Sequence, residues 1–423
     1  MKVWLIIAAA AVVTRAASAE TTNWYVGSID CTGNVVTAPI LASNGSCVLV
    51  QSSSNLLGGW QNLQTDDITN SNQLVVRMPA SMFGDTTFYR LRAPTPPTPG
   101  ELLRYTNALA WDATNGGDAL LVMKDGVTVF EGYTGTTRSN TVHLLASGTK
   151  SFNAALYALG EADGVWTLDE NVSQTITEWQ GVTNKDLITV AHLLSLTSGL
   201  QDSPEYSPTK AKNLYTYSLA ITGSAALYAP GVACIYAPCN FQVLAAMFER
   251  KTGRDPVDYL YERLFSQIGV SSNSLENWTR DLDNKPQMAG GAYLTGQEWL
   301  RFGKIWAQNG AWQGEQLLPP AAVKQSSTYR TTAFLGYGLS WWLNRPTEGT
   351  YNPPMDSLPP DGHADGDQIA SNAPPDTYMA AGTGGQRLYI IPSQNLVIVR
   401  LGMTIGNPTW SDHALLGIIL GAP

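Results

Sequence analysis

The chain has 423 residues, of which 44% are hydrophobic and 14% charged, with a formal net charge of −9. That length points to two domains, and the composition is that of a globular protein rather than a disordered one. The acidic balance, with no run of Lys or Arg, argues against nucleic acid or anionic lipid as a partner.

Residues 1–19 read as a signal peptide. Lys2 gives a positive start, Val3 to Val13 is an apolar stretch too short to span a bilayer, and Ala17-Ser18-Ala19 is a small-residue cleavage site before Glu20. No later apolar run is long enough for a membrane span, so the protein is expected to be secreted or periplasmic. In an oxidising compartment the four cysteines are expected to form two local disulfides, Cys31 with Cys47 and Cys234 with Cys239.

Residues 20–93 are rich in Ser, Thr and Asn, with strand-like runs at Val48 to Val50, Gln73 to Arg77 and Phe88 to Arg92. Short strands between polar turns predict a small β-sandwich. This domain is a candidate for carbohydrate binding, for contact with a partner protein or for a spacer; Trp24 and Trp60 could stack on sugar, against the commoner fate of tryptophans in a core. The Pro-rich segment 94–100 is a stiff linker, and residues 101–423 form the second domain.

That domain is predicted to open with a hairpin, Ala119 to Met123 and Val127 to Tyr133, around an Asp125-Gly126 turn. A helix is expected from Ser147 to Leu159, with Gly160 as its stop. Further helices fit Thr189 to Leu196 and Asn240 to Lys251, the latter ending at Gly253. Thr295 and Glu298 form a capping box for a helix carrying Trp299, Phe302 and Trp306. The stretch Thr350 to Asp376 reads as a long irregular loop. Gln386 to Ile391 and Leu396 to Leu401 read as an antiparallel pair, and Ser411 to Leu420 as a last helix. Strands at both ends with helices between them predict an α+β fold: one sheet built from both ends of the domain, and a separate helical lobe from its middle.

Several chemistries lack their motifs. The four histidines form no zinc arrangement, no serine lies in G-x-S-x-G, and no P-loop or dinucleotide fingerprint is present. The acidic loop with Asp356, Asp361, His363, Asp365 and Asp367 lacks the spacing of a calcium loop and reads as a solvated lid. Neither a metal nor an organic cofactor is expected.

What remains is Ser147-Gly148-Thr149-Lys150. Residues three apart share a helix face, so Lys150 is expected beside the Ser147 hydroxyl. A buried lysine loses its charge more easily and can take the serine proton. Ser207-Pro208-Thr209-Lys210 is a second match to the same spacing, but it lacks an apolar helical run after it.

Context separates the two. Ser147 to Phe152, Trp166 to Val172, Ile188 to Leu200, Pro230-Gly231 with Tyr236, Asn240 to Gly253, Gly290-Gly291, Tyr337 to Trp342 and Gly382 to Pro392 follow one another in order. Together they resemble the penicillin-recognising serine hydrolases: class C β-lactamases, D-Ala-D-Ala carboxypeptidases, serine esterases and nylon-oligomer hydrolases. The resemblance covers nearly all of residues 101–423. It implies a β-lactamase-like fold, with an antiparallel sheet flanked by helices plus an all-helical lobe. It also implies Ser147 as nucleophile, Lys150 as general base and Tyr236 as proton relay. The oxyanion hole is then expected at the backbone N–H groups of Ser147 and Thr383, with Gly384 and Asn240 as substrate neighbours.

Two departures narrow the activity. Pro238 stands where the family's second motif often has Asn, and no Lys or His precedes Thr383-Gly384 in the third. Arg387 is the nearest candidate to replace that cation. The sequence therefore favours cleavage of an ester or small amide over β-lactamase or D,D-peptidase activity on cell-wall peptides or β-lactams. The remaining alternative is an inactive hydrolase-fold binding protein.

Overall fold

In a computed structural model, side chains are described for residues 96–202, 215, 226–313, 315–329, 331–345, 369–404 and 409–422, and the first 95 residues are described only as backbone strands. These strands form two sheets. One has the spatial order Leu5–Ile7, Phe88–Arg92, Cys47–Ser53, Gln61–Asp67, its outermost strand drawn from the expected leader. The other is centred on Val35–Leu41, which pairs with Tyr25–Val26, Asp30–Thr32 and Gln73–Pro79. The Cys31 and Cys47 side chains, the Ser207 motif and the acidic loop at 356–367 lie outside the described residues.

The remainder is built around a six-stranded antiparallel sheet. Its order is Val127–Tyr133, Gly117–Lys124, Leu396–Gly402, Gln386–Ile391, Tyr378–Gly382, Trp342–Leu343. Both ends of this region thus supply neighbouring strands, as the sequence predicts. The inner strands bury both faces: Leu388 to Ile391 and Val397 to Val399 are all within 1% exposure. Full burial of each such aliphatic side chain contributes about 1.5–3 kcal/mol. Gly303, on the helix Gly296–Ala307, lets that helix settle onto Leu388 and Val397. On the opposite face lie the helices Pro99–Ala113 and Asp412–Leu420, which bring Asp112 and Asp412 to two arginines of the sheet.

Three local expectations change. The region opens with the helix Pro99–Ala113 rather than the hairpin, so the last two residues of the expected linker are helical. Thr98 caps it by a capping box with Glu101, and Pro99 occupies the first turn, where a missing N–H costs nothing. Gly160 does not stop its helix, which runs Phe152–Ala162; a Cβ there would lie 2.5 Å from the Trp166 indole nitrogen, so glycine serves close packing instead. Third, Cys234 and Cys239 are free buried thiols, not a disulfide. The hairpin and the helices Val190–Leu194, Cys239–Thr252, Gly296–Ala307 and Asp412–Leu420 match their predicted positions within a few residues, with Thr189, Thr295 and Ser411 as side-chain N-caps.

Candidate active site

Ser147 and Lys150 share a 3-10 turn, Ala146–Ser151, that leads directly into the helix Phe152–Ala162. In a 3-10 turn, residues three apart eclipse. The Lys150 Nζ accordingly donates to Ser147 Oγ at 2.8 Å and to the Ala289 carbonyl at 2.7 Å. Ala146, just before the serine, has φ of 47°, a left-handed conformation that costs a non-glycine residue of order 1–3 kcal/mol. The Thr149 hydroxyl clamps this residue by donating to the Ala146 carbonyl at 2.7 Å, and it accepts from the Ala292 N–H at 3.0 Å.

Lys150 is only 2% exposed. Burial drives its pKa down to about 7, and the Asp202 carboxylate pulls back weakly in the other direction. Its ammonium therefore loses a proton near neutrality, leaving an amine that can accept one. Ala289, its second acceptor, belongs to a loop fastened from two helices. Asn153 donates to the Met288 carbonyl at 2.9 Å, and the Gln242 side chain accepts from the Met288 N–H at 2.6 Å.

Tyr236 packs against the same amine, with Lys150 Nζ 4.8 Å from its ring centroid. Burial raises the phenol to about 12, moderated by a hydrogen bond with Ser147 and by the field of Arg387. The ring is backed by Trp342 at 5.5 Å, which Tyr337 meets edge-on at 5.0 Å. Trp342 thus stands behind the phenol. Its neighbour Trp341 is fully buried against Phe302 and Trp306.

The edge strand Tyr378–Gly382 closes the other side. Gly382 lies flush against the serine turn: a Cβ on it would overlap the Leu145 carbonyl oxygen and lie 3.0 Å from the Gly148 nitrogen. This backbone contact leaves room only for glycine at the position. Thr383 follows, exposed, at the start of the turn. Gly384 and Gly385 have φ of 83° and 78° and are buried. The Gly384 carbonyl accepts from Arg400 and from the Thr404 N–H, which makes this residue part of the turn's anchorage.

Not every expected site residue faces the cleft. Asn240 is fully buried; its amide donates to the Ala237 carbonyl at 2.9 Å, and its oxygen accepts from Ser198 at 2.5 Å. It ties the Tyr236 segment to the segment after Val190–Leu194. Arg387 does not replace the missing cation, because its guanidinium is buried against Asp412 at 2.8 Å. Sequence reasoning passed over Asp202. It accepts from the Cys239 N–H at 2.8 Å and acts on Lys150 through space. No short motif announces it. Ala289 was also missed, although the Gly290-Gly291 pair marked its loop.

Two comparisons relate the chain to known proteins. The family model described as Beta-lactamase matches residues 104–409. Among solved structures, a penicillin-binding protein homologue from Caulobacter crescentus is 15% identical, with a TM-score of 0.57 over 77% of this chain and 97% of its own. A family VIII carboxylesterase gives 15% identity and a TM-score of 0.57, over 78% and 98% of the two chains. EstCE1, described as a hydrolase with promiscuous acyltransferase activity, gives 14% and 0.59, over 76% and 98%. At such identities the likeness is one of fold. No curated protein matches the chain.

Proposed function

The chain belongs to the Beta-lactamase family of serine hydrolases, and from that premise we propose that it cleaves a neutral ester or small amide through an acyl-enzyme on Ser147. The observation that carries this reading is the Lys150 amine, 2.8 Å from the serine oxygen, with a pKa brought to about 7. Ser147 Oγ attacks the substrate carbonyl while its proton passes to Lys150. A C–O bond forms and a tetrahedral oxyanion develops. The N–H groups of Ser147 and Thr383 stabilise that charge.

Collapse of the intermediate breaks the bond to the leaving group. Tyr236, protonated at neutral pH, gives its proton to the departing oxygen or nitrogen and is reprotonated from Lys150. Water then attacks the acyl-enzyme by the reverse route and releases the acid. Electrostatics favour a substrate without a carboxylate at the third motif. The arginine nearest that motif is engaged with Asp412, while Asp202 adds negative charge beside Lys150. This supports an esterase or amidase over a β-lactamase or D,D-peptidase. The apolar start and the Ala17-Ser18-Ala19 site support export.

The test is a panel of chromogenic esters, anilides and a cephalosporin, alongside labelling by a fluorophosphonate probe. Turnover of a neutral ester and labelling of the protein, both abolished in Ser147→Ala, are expected. A protein that neither labels nor turns over any substrate is a binding protein with a hydrolase fold. Efficient cephalosporin turnover with no esterase activity reverses the substrate assignment.

A further inference from the structure

The Gly382–Gly385 turn is gripped from beneath by two buried arginines. Arg387 Nη1 donates to the carbonyls of Gly382 and Gln386, each at 3.2 Å. Its Nε and Nη2 bind Asp412 at 2.8 and 3.2 Å. Arg400 Nη1 donates to the carbonyls of Gly384 and Gly385 at 2.9 and 3.0 Å, while its Nε binds both Asp112 oxygens. Trp410 lies between the two guanidiniums, 4.9 Å from each, and its indole N–H donates to Asp112 at 3.0 Å. Tyr389 donates to Asp412 at 2.5 Å. All of these side chains are within 3% exposure.

Burying two ion pairs is costly and is weak evidence of a gain in stability. What this arrangement does fix is the direction of peptide planes. In a trans peptide the C=O and the following N–H point in opposite directions. When Arg387 draws the Gly382 carbonyl toward itself, the Thr383 N–H of the same peptide must point away from Arg387. Gly382 is the residue that lies flush against the Ser147 turn.

We propose that Arg387, held by Asp412, is a positioning residue that aims the Thr383 N–H into the oxyanion hole, with Arg400 and Asp112 fixing the far half of the same turn. The inference rests on the reading of Ser147 as an acylated nucleophile and adds the device that presets one of its two oxyanion donors. It also accounts for the missing third-motif cation: the nearest arginine works from inside the fold, through the backbone, rather than on the substrate. Preset donors need no reorganisation as charge develops, which is where their catalytic effect lies.

The experiment uses the full chain with the paired substitution Arg387→Met and Asp412→Leu, which removes both charges together and leaves no orphaned carboxylate, and Arg387→Lys beside it. Thermal unfolding checks the fold. Steady-state kinetics on a neutral ester and inhibition by an arylboronic acid, which forms a tetrahedral adduct with the serine, read the oxyanion hole. In a folded double variant, kcat is expected to fall by about 10²–10³-fold, the loss typical of one oxyanion donor. KM should change little, and boronate affinity should weaken in step with kcat. A role in stability alone would move the melting temperature and leave kcat and boronate binding within about threefold of wild type; that result overturns the proposal. A crystal structure of the double variant decides it independently of turnover: a reoriented Gly382–Thr383 peptide supports it, and an unchanged one overturns it. Failure of the acyl-enzyme reading would show separately, as wild-type activity that survives Ser147→Ala.

Discussion

Both sides of the site rest on buried cations, and they use burial to opposite ends. Lys150 is 2% exposed and has no carboxylate within hydrogen-bonding distance among the described contacts; its acceptors are a serine and a carbonyl. Desolvation is therefore the largest influence on it, and it becomes a base near pH 7. Arg387 and Arg400 are buried as deeply, but each carries an aspartate. Guanidinium groups do not deprotonate in proteins, so these act as fixed struts for the backbone. Burial without a hydrogen-bonded counter-ion makes a reactive group, whereas burial with one makes a scaffold.

The largest expected effect comes from removing the unpaired cation. Lys150→Met should lower kcat/KM by about 10³–10⁴-fold, in the upper range for loss of general-base help. Its effect on stability has a definite sign. The folded-state pKa of about 7 lies below the ordinary lysine value of 10.5. Between those limits the unfolded chain binds more protons, so this group makes wild-type stability rise with pH across that window. The variant should lose that slope and melt at a higher temperature than wild type at pH 6. Thermal unfolding at pH 6 and pH 10 measures it; a variant less stable than wild type at pH 6 contradicts a desolvated lysine.

The next largest effect tests the strut side. Gly382→Ala puts a methyl group where the Leu145 carbonyl oxygen and the Gly148 nitrogen already lie. The strand must retreat from the serine turn, carrying Thr383 with it. Stability should fall by about 1–3 kcal/mol. Turnover should fall further, by about 10²-fold, as when an oxyanion donor is misplaced. Kinetics paired with denaturant unfolding tests this. A loss of stability with unchanged kcat would mean that the contact only packs the domain.

How much of this could be read in the sequence follows the same division. The Ser147–Lys150 pair is local; three residues of spacing specify it, and periodicity, caps and turn residues gave most of the flanking elements. The struts are not local. Arg400 and Asp112 are 288 residues apart, and no spacing rule joins them. Read along its strand, Arg387 looked like a free cation beside the site, because nothing in that segment shows Asp412 waiting on the terminal helix. Asn240 failed for a similar reason: its partner Ser198 is 42 residues away and draws the amide inward. The helix Pro99–Ala113 was legible in Thr98-Pro99-Gly100-Glu101, but it was hidden by the proline run that reads as a linker. The cysteines near Tyr236 show that an expected compartment does not decide pairing, since close spacing in the sequence does not by itself join two thiols.

The smallest effect separates charge from anchorage at Asp202, the acidic group that acts on the base. Lys150 is met by Ser147 and Ala289 as acceptors, by the rings of Tyr236 and Phe241, and by the field of Asp202. Asp202 itself is fastened by the Cys239 N–H at 2.8 Å, on the helix that follows Tyr236. Asp202→Asn keeps an oxygen for that N–H and removes the negative charge. The carboxylate raises the lysine pKa, so its removal should let it fall further. The acidic limb of kcat/KM, expected near pH 7 in wild type, should therefore move to lower pH by a fraction of a unit, while the plateau changes by less than about twofold. No alkaline limb from Tyr236 should appear in either protein until the pH approaches about 12. A pH profile of both proteins on one ester reads the shift. A limb that stays in place, or moves upward, would show that Asp202 serves only to hold the Tyr236 segment.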